Sequence, residues 1–82
     1  MKELTKYQLK RAEKGLANWS ELSCTYILSE EFIEKFADKV SWWCISVYQK
    51  LSEEFIEKFA DKVDWWRISQ RQKLSEGFIE KF

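Results

Sequence analysis

Residues 28–40 read LSEEFIEKFADKV, and residues 51–63 repeat that string without a change. Leu51 follows Leu28 by 23 residues, and the string begins a third time at Leu74 as LSEGFIEKF. Units this alike must do the same structural work, so one reading serves all of them. Ser29 stands where a helix N-cap belongs, and Glu30 and Glu31 follow in the first turn, where the helix dipole favours negative charge. Leu28 before the cap and Ile33 four positions after it have the spacing of a hydrophobic staple. Phe32, Ile33, Phe36 and Val40 form one apolar stripe of a helix, with Phe55 and Phe59 as counterparts in the next copy. Charged residues fill the remaining positions. Glu30/Glu34 and Glu53/Glu57 read as a solvated face, and Glu31–Lys35 and Glu54–Lys58 as i, i+4 pairs.

Between the copies lie SWWCISVYQK (41–50) and DWWRISQRQK (64–73), and NWSELSCTYI (18–27) aligns with both. Asn18, Ser41 and Asp64 share one register, and all three are favoured N-caps. Trp19, Trp42 and Trp65 follow them and read as structural. The expected helices span 2–14, 19–27, 30–39, 42–50, 53–62, 65–73 and 75–82, with Gly15 ending the first. Helices of two to three turns are not stable alone in water, so neighbours must stabilise them. The predicted fold is therefore all-α: short helical hairpins stacked as a small α-solenoid. Residues 1–82 read as one domain. It comprises a degenerate unit (1–27), two full repeats (28–50 and 51–73) and a truncated repeat (74–82).

Composition narrows the function. The 82 residues contain 14 Lys+Arg, 14 Asp+Glu, no His, no Pro and two Gly, so no His-dependent triad or His-ligated metal site can be built. Two isolated glycines cannot make a phosphate-binding loop. No cofactor is expected, no metal site, and no enzyme. The absence of a long apolar run predicts no membrane span, and MKELTKYQLK lacks a signal-peptide core, so a cytoplasmic location is expected. Cys24 and Cys44 occupy non-equivalent positions, and helix axes about 8–10 Å apart point to free thiols.

The copies differ mainly in the second helix. Ser20, Trp43 and Trp66 are equivalent, as are Glu21, Cys44 and Arg67; Cys24, Val47 and Gln70; and Thr25, Tyr48 and Arg71. These positions share one helix face. Stacking would gather Trp43, Val47, Tyr48, Trp66, Arg67, Gln70 and Arg71 on one surface, rich in the residue types that dominate binding hot spots. Trp43 and Trp66 also read as packing between units, or as drift after duplication, and all three readings stay open here. Phe78, Ile79 and Phe82 form a final apolar face. It either folds back as a cap or joins two chains as a homodimer.

The string WWxIS…YQKLSEEFIEKF resembles tandem repeats in uncharacterised proteins of bacteriophages, mobile elements and large DNA viruses. The resemblance covers residues 18–82 and implies a viral or mobile-element source and no catalytic residues. The expectation is a non-catalytic protein-binding module, an inhibitor that occludes a host protein such as a CRISPR or other defence effector. The alternatives are a self-assembling structural protein, or single-stranded nucleic acid or nucleotide binding through Trp66, Arg67 and Arg71. Zero net charge makes nucleic acid the weaker partner.

Overall fold

The computed structural model describes residues 1–81. In chain order the elements are β1 (Lys2–Glu3), α1 (Lys6–Glu13), α2 (Trp19–Thr25), β2 (Tyr26–Ile27), α3 (Glu30–Lys35), α4 (Trp42–Tyr48), α5 (Glu53–Lys58), α6 (Trp65–Arg71) and α7 (Glu76–Lys81). The chain is mostly helical, and the two strands pair in parallel, Lys2 with Tyr26 and Glu3 with Ile27. An all-α reading leaves no place for that pairing, and the helix expected over 2–14 starts only at Lys6. Thr5 sets this start. Its hydroxyl accepts from the Gln8 N–H, while the Gln8 side chain accepts from the Thr5 N–H, a reciprocal capping box. Gly15, at φ 75°, closes α1, with Leu16 N–H donating to Arg11 O at 2.8 Å.

The other helices are shorter than their apolar stripes. α3 and α5 end at Lys35 and Lys58 because Phe36 and Phe59 leave helical geometry and the chain tightens into turns. α4 and α6 end at Tyr48 and Arg71 because Gln49 and Gln72 adopt extended backbone. That extension turns each glutamine back toward the preceding unit.

Packing is periodic. α2, α4 and α6 lie side by side in that order. Trp19 packs on Phe32 and Phe36, with ring centroids 6.2 and 5.0 Å away. Trp42 repeats this on Phe55 and Phe59 at 6.2 and 5.3 Å, and Trp65 contacts Phe78 at 6.3 Å. The Trp42 and Trp65 indoles donate to Ala37 O and Ala60 O at 2.8 and 2.9 Å. One apolar core runs from Ala12 through Ile33, Ile45, Ile56 and Ile68 to Phe78.

Polar groups join the units as regularly. The buried Gln49 accepts from Leu28 N–H at 3.0 Å and donates to Ser23 O and Tyr26 O at 3.0 and 2.7 Å. Gln72 makes the same three bonds to Leu51, Ser46 and Gln49 at 3.2, 3.2 and 2.7 Å. Each glutamine thus satisfies carbonyls that the end of the preceding second-type helix would otherwise leave unpaired. The buried hydroxyls of Ser23 and Ser46 accept from the N–H of Ser41 and Asp64, both at 3.0 Å.

Three expectations are corrected here. Ser41 makes no side-chain cap bond, unlike Asn18 and Asp64, although its N–H donates to Ser23 as that of Asp64 does to Ser46. Glu30 and Glu53 are not merely solvated: their carboxylates grip the hydroxyl and N–H of Ser52 and Ser75, one unit further on. Lys58 pairs with Glu34 of the preceding unit, and Lys35 with Glu13 at 3.9 Å, in place of the i, i+4 partners.

Cys24 and Cys44 form a disulfide between α2 and α4, with Cα atoms 5.0 Å apart, which overturns the free-thiol expectation. An axis separation of ~8–10 Å does not set the separation of facing residues, because each Cα lies ~2.3 Å out from its own axis. Facing positions therefore come within bridging range.

Among the described residues, no helix is long and apolar enough to cross a membrane.

Two outcomes follow for unfolding. Gln49→Leu should lower stability by roughly 2–4 kcal/mol in denaturant melts, since it strands a buried N–H and two carbonyls, while Gln70→Leu on the surface stays within about 0.5 kcal/mol. Reducing the Cys24–Cys44 bond should cost about 3 kcal/mol for a loop of this size, visible as a lower thermal midpoint with reductant.

Candidate protein-binding face

The packing of α4 against α6 decides what the variable positions do. The buried Ile45 and Ile68 point into the core, so the residues beside them turn outward. Trp43 and Trp66 are 45% and 61% exposed, and Tyr48 is exposed as well. Both tryptophans project large apolar area into solvent, unlike Trp19, Trp42 and Trp65, which are half-buried on phenylalanines.

Arg67 joins the two helices. Its guanidinium carbon lies 4.9 Å from the ring centroid of Trp43 and 4.5 Å from that of Trp66. Both distances are within cation–π range. The Trp43 ring also meets Tyr48 edge-on, with centroids 6.3 Å apart. Arg67 Nε is buried and has no hydrogen-bond partner. No carboxylate pairs with Arg67 or Arg71 among the described residues. Trp66, Arg67, Gln70 and Arg71 line a depression of about 220 Å³. Val47, on α4, is half-buried.

All seven residues of the proposed face therefore lie along α4 and α6. The arrangement combines rigid aromatic area with two guanidinium groups that have no carboxylate partner among the described residues. Such a surface suits a partner that offers apolar area together with a carboxylate or another anion.

The junction positions explain how the face arises. Cys24 and Cys44 are bridged across the first junction. Their equivalents one repeat later are Val47 and Arg67. A covalent link at one junction is thus replaced at the next by an aliphatic side chain opposite an arginine that reaches between two tryptophans.

Of the possible self-association residues, Phe78 is buried, so it belongs to the core and not to an exposed seam. Ile79 is exposed, and Phe82 lies outside the described residues. Gln49, Gln72, Ser23 and Ser46 went unrecognised as junction groups, although their recurrence at one register marked them. Among the described residues no cluster of three or more His, Cys, Asp or Glu side chains comes together to hold a metal. No protein-family model matches the chain, and comparison with curated proteins and with solved structures finds no significant similarity.

A double-mutant cycle on Trp43→Ala and Arg67→Ala should give a coupling of roughly 0.5–1 kcal/mol in chemical unfolding. Additive effects would show that the guanidinium gains nothing from the ring.

Proposed function

We propose that the chain is a small α-solenoid of stacked helical hairpins and a non-catalytic module that binds another protein through Trp43, Val47, Tyr48, Trp66, Arg67, Gln70 and Arg71. The stacked reading draws support from hydrogen bonds that recur one repeat apart, at Gln49 and Gln72, Ser23 and Ser46, and Glu30 and Glu53. The elongated outline, 41 Å against 22 and 17 Å, agrees with it.

The observation that carries the binding reading is Arg67 held between two exposed indoles. A pre-ordered guanidinium and two rigid rings lose little conformational freedom on association, which favours affinity. The face varies between units while the core does not, as expected of a surface free to fit a partner. Steric occlusion of that partner is the mechanism this geometry can perform. The narrower assignment, an inhibitor of a host defence effector in a phage or mobile-element setting, rests on the resemblance of the repeats alone.

Nucleic acid is a second reading, favoured by the depression that places Trp66 beside Arg67 and Arg71. It predicts strongly salt-dependent oligonucleotide binding. Glu30 and Glu34 on α3 and Glu53 and Glu54 on α5 count against it.

The test is affinity capture from bacterial lysate with wild type, Trp66→Ala and Arg67→Ala, each checked for native helicity by circular dichroism. Wild type should retain one stoichiometric protein after nuclease treatment. Each variant should retain at least about tenfold less. Equal recovery by all three would remove the face from the assignment, and recovery lost with nuclease would transfer it to nucleic acid.

A further inference from the structure

A planar guanidinium can hold an oxyanion by two parallel bonds along either of two edges, Nε with one Nη, or Nη1 with Nη2. At Arg67 the first edge is closed, because Nε is buried without a hydrogen-bond partner. Neither Nη atom is buried, and neither is hydrogen-bonded to a described residue. The guanidinium carbon lies 4.9 Å from the Trp43 ring centroid and 4.5 Å from that of Trp66, so two rings position the group while its end stays open. Asp64, the acidic residue nearest to it in sequence, does not serve it, since its carboxylate accepts the Arg67 backbone N–H at 3.2 Å.

Trp43 and Arg67 meet inside the array, where α4 packs on α6, with α2 before that junction and α7 after it. One repeat earlier the equivalents of Val47 and Arg67 are Cys24 and Cys44, which satisfy each other through a disulfide. At the second junction nothing among the described residues does the same for the guanidinium. An oxyanion from outside the chain would complete it.

We infer that Arg67 receives the carboxylate of one aspartate or glutamate of a partner protein, held end-on by Nη1 and Nη2, with an apolar side chain of the same segment lying on Trp43 and Tyr48. The inference rests on the protein-binding reading above and names the chemistry of its central contact. Two parallel N–H···O bonds match the two oxygens of a carboxylate in spacing and plane. Trp43 and Tyr48, 45% and 48% exposed and meeting edge-on at 6.3 Å, supply the apolar platform beside the charge. Docking an apolar side chain there removes water from around the ion pair, which strengthens it. The chain's zero net charge and the glutamates along α3 and α5 disfavour a polyanion, whereas one carboxylate brings one negative charge to one open guanidinium edge.

The probe is a displayed library of random peptides of about twelve residues, panned on the folded full chain. Selected peptides should carry an aspartate or glutamate beside an aromatic or aliphatic residue. They should shift the indole N–H signals of Trp43 and Trp66 saturably and leave that of Trp19 in place. Replacing the acidic residue of the peptide by its amide should weaken binding at least about tenfold, a change that leaves the chain's own fold untouched. Arg67→Lys in the chain, which keeps the charge and loses the two-pronged edge, should cost at least about tenfold as well. The two changes together should cost little more than either alone, because both remove one contact. Selected peptides without an acidic residue, an amide peptide that binds as tightly as its parent, or a library that yields no binder would overturn the proposal. Displacement of the peptide from Trp43 by an oligothymidylate that binds more tightly would do so too. The protein-binding reading is judged separately by affinity capture. A protein retained equally by wild type and Arg67→Lys, but lost with Trp66→Ala, keeps that reading and sinks the carboxylate contact. With no captured protein that reading falls, while the preference of the Arg67 edge for a carboxylate is still read from the peptides.

Discussion

The structure depends on a side-chain amide that reaches backward across a helix junction. Gln49 and Gln72 each bind one N–H and two carbonyls of the preceding unit. The groups they satisfy lie at the end of a helix of seven residues, too short to survive alone. Apolar packing would hold such helices near one another without choosing a register. The amide, with one acceptor and two donors in fixed geometry, admits only one offset between neighbours. The buried serine hydroxyls and the Glu30 and Glu53 carboxylates use the same offset. Three unlike polar devices therefore agree on one spacing, and their agreement makes the register between neighbouring helices specific as well as stable.

The first junction has a further constraint in the Cys24–Cys44 bond, and the second has none. Arg67 at the second junction does not reinforce the helix contact with a salt bridge. It lies over two rings that are themselves open to solvent. Of the two disulfide-linked helices, α2 carries Ser20 where α4 carries Trp43, and α6, outside the link, carries Trp66.

Much of this was legible in the sequence, and the limits have physical causes. The caps at Ser29, Ser52 and Asp64, the Trp19, Trp42 and Trp65 register and the Phe/Ile stripe follow from local spacing, and all appear as read. The glutamine and glutamate bridges were not legible, because their partners lie 21 to 26 residues away and local periodicity says nothing about such bonds. The disulfide was missed because an axis distance was taken for a residue distance. The grouping of Trp43, Trp66 and Arg67 followed from the repeat. Whether those rings pack or project did not, since an aromatic residue at a variable position serves either purpose until its neighbours are placed.

The 23-residue offset has an evolutionary consequence. Each unit recognises only the units beside it, through groups that recur at the same places. Recombination between the two identical 13-residue stretches (28–40 and 51–63) would insert or remove one whole unit and keep the groups that make the glutamine, serine and glutamate bridges, although removal would take Cys44 and the disulfide with it. Substitution at the outward positions of a second-type helix, by contrast, changes the surface without touching the bridges. Array length and surface chemistry can therefore be altered by separate genetic events, the first in steps of one unit and the second one side chain at a time.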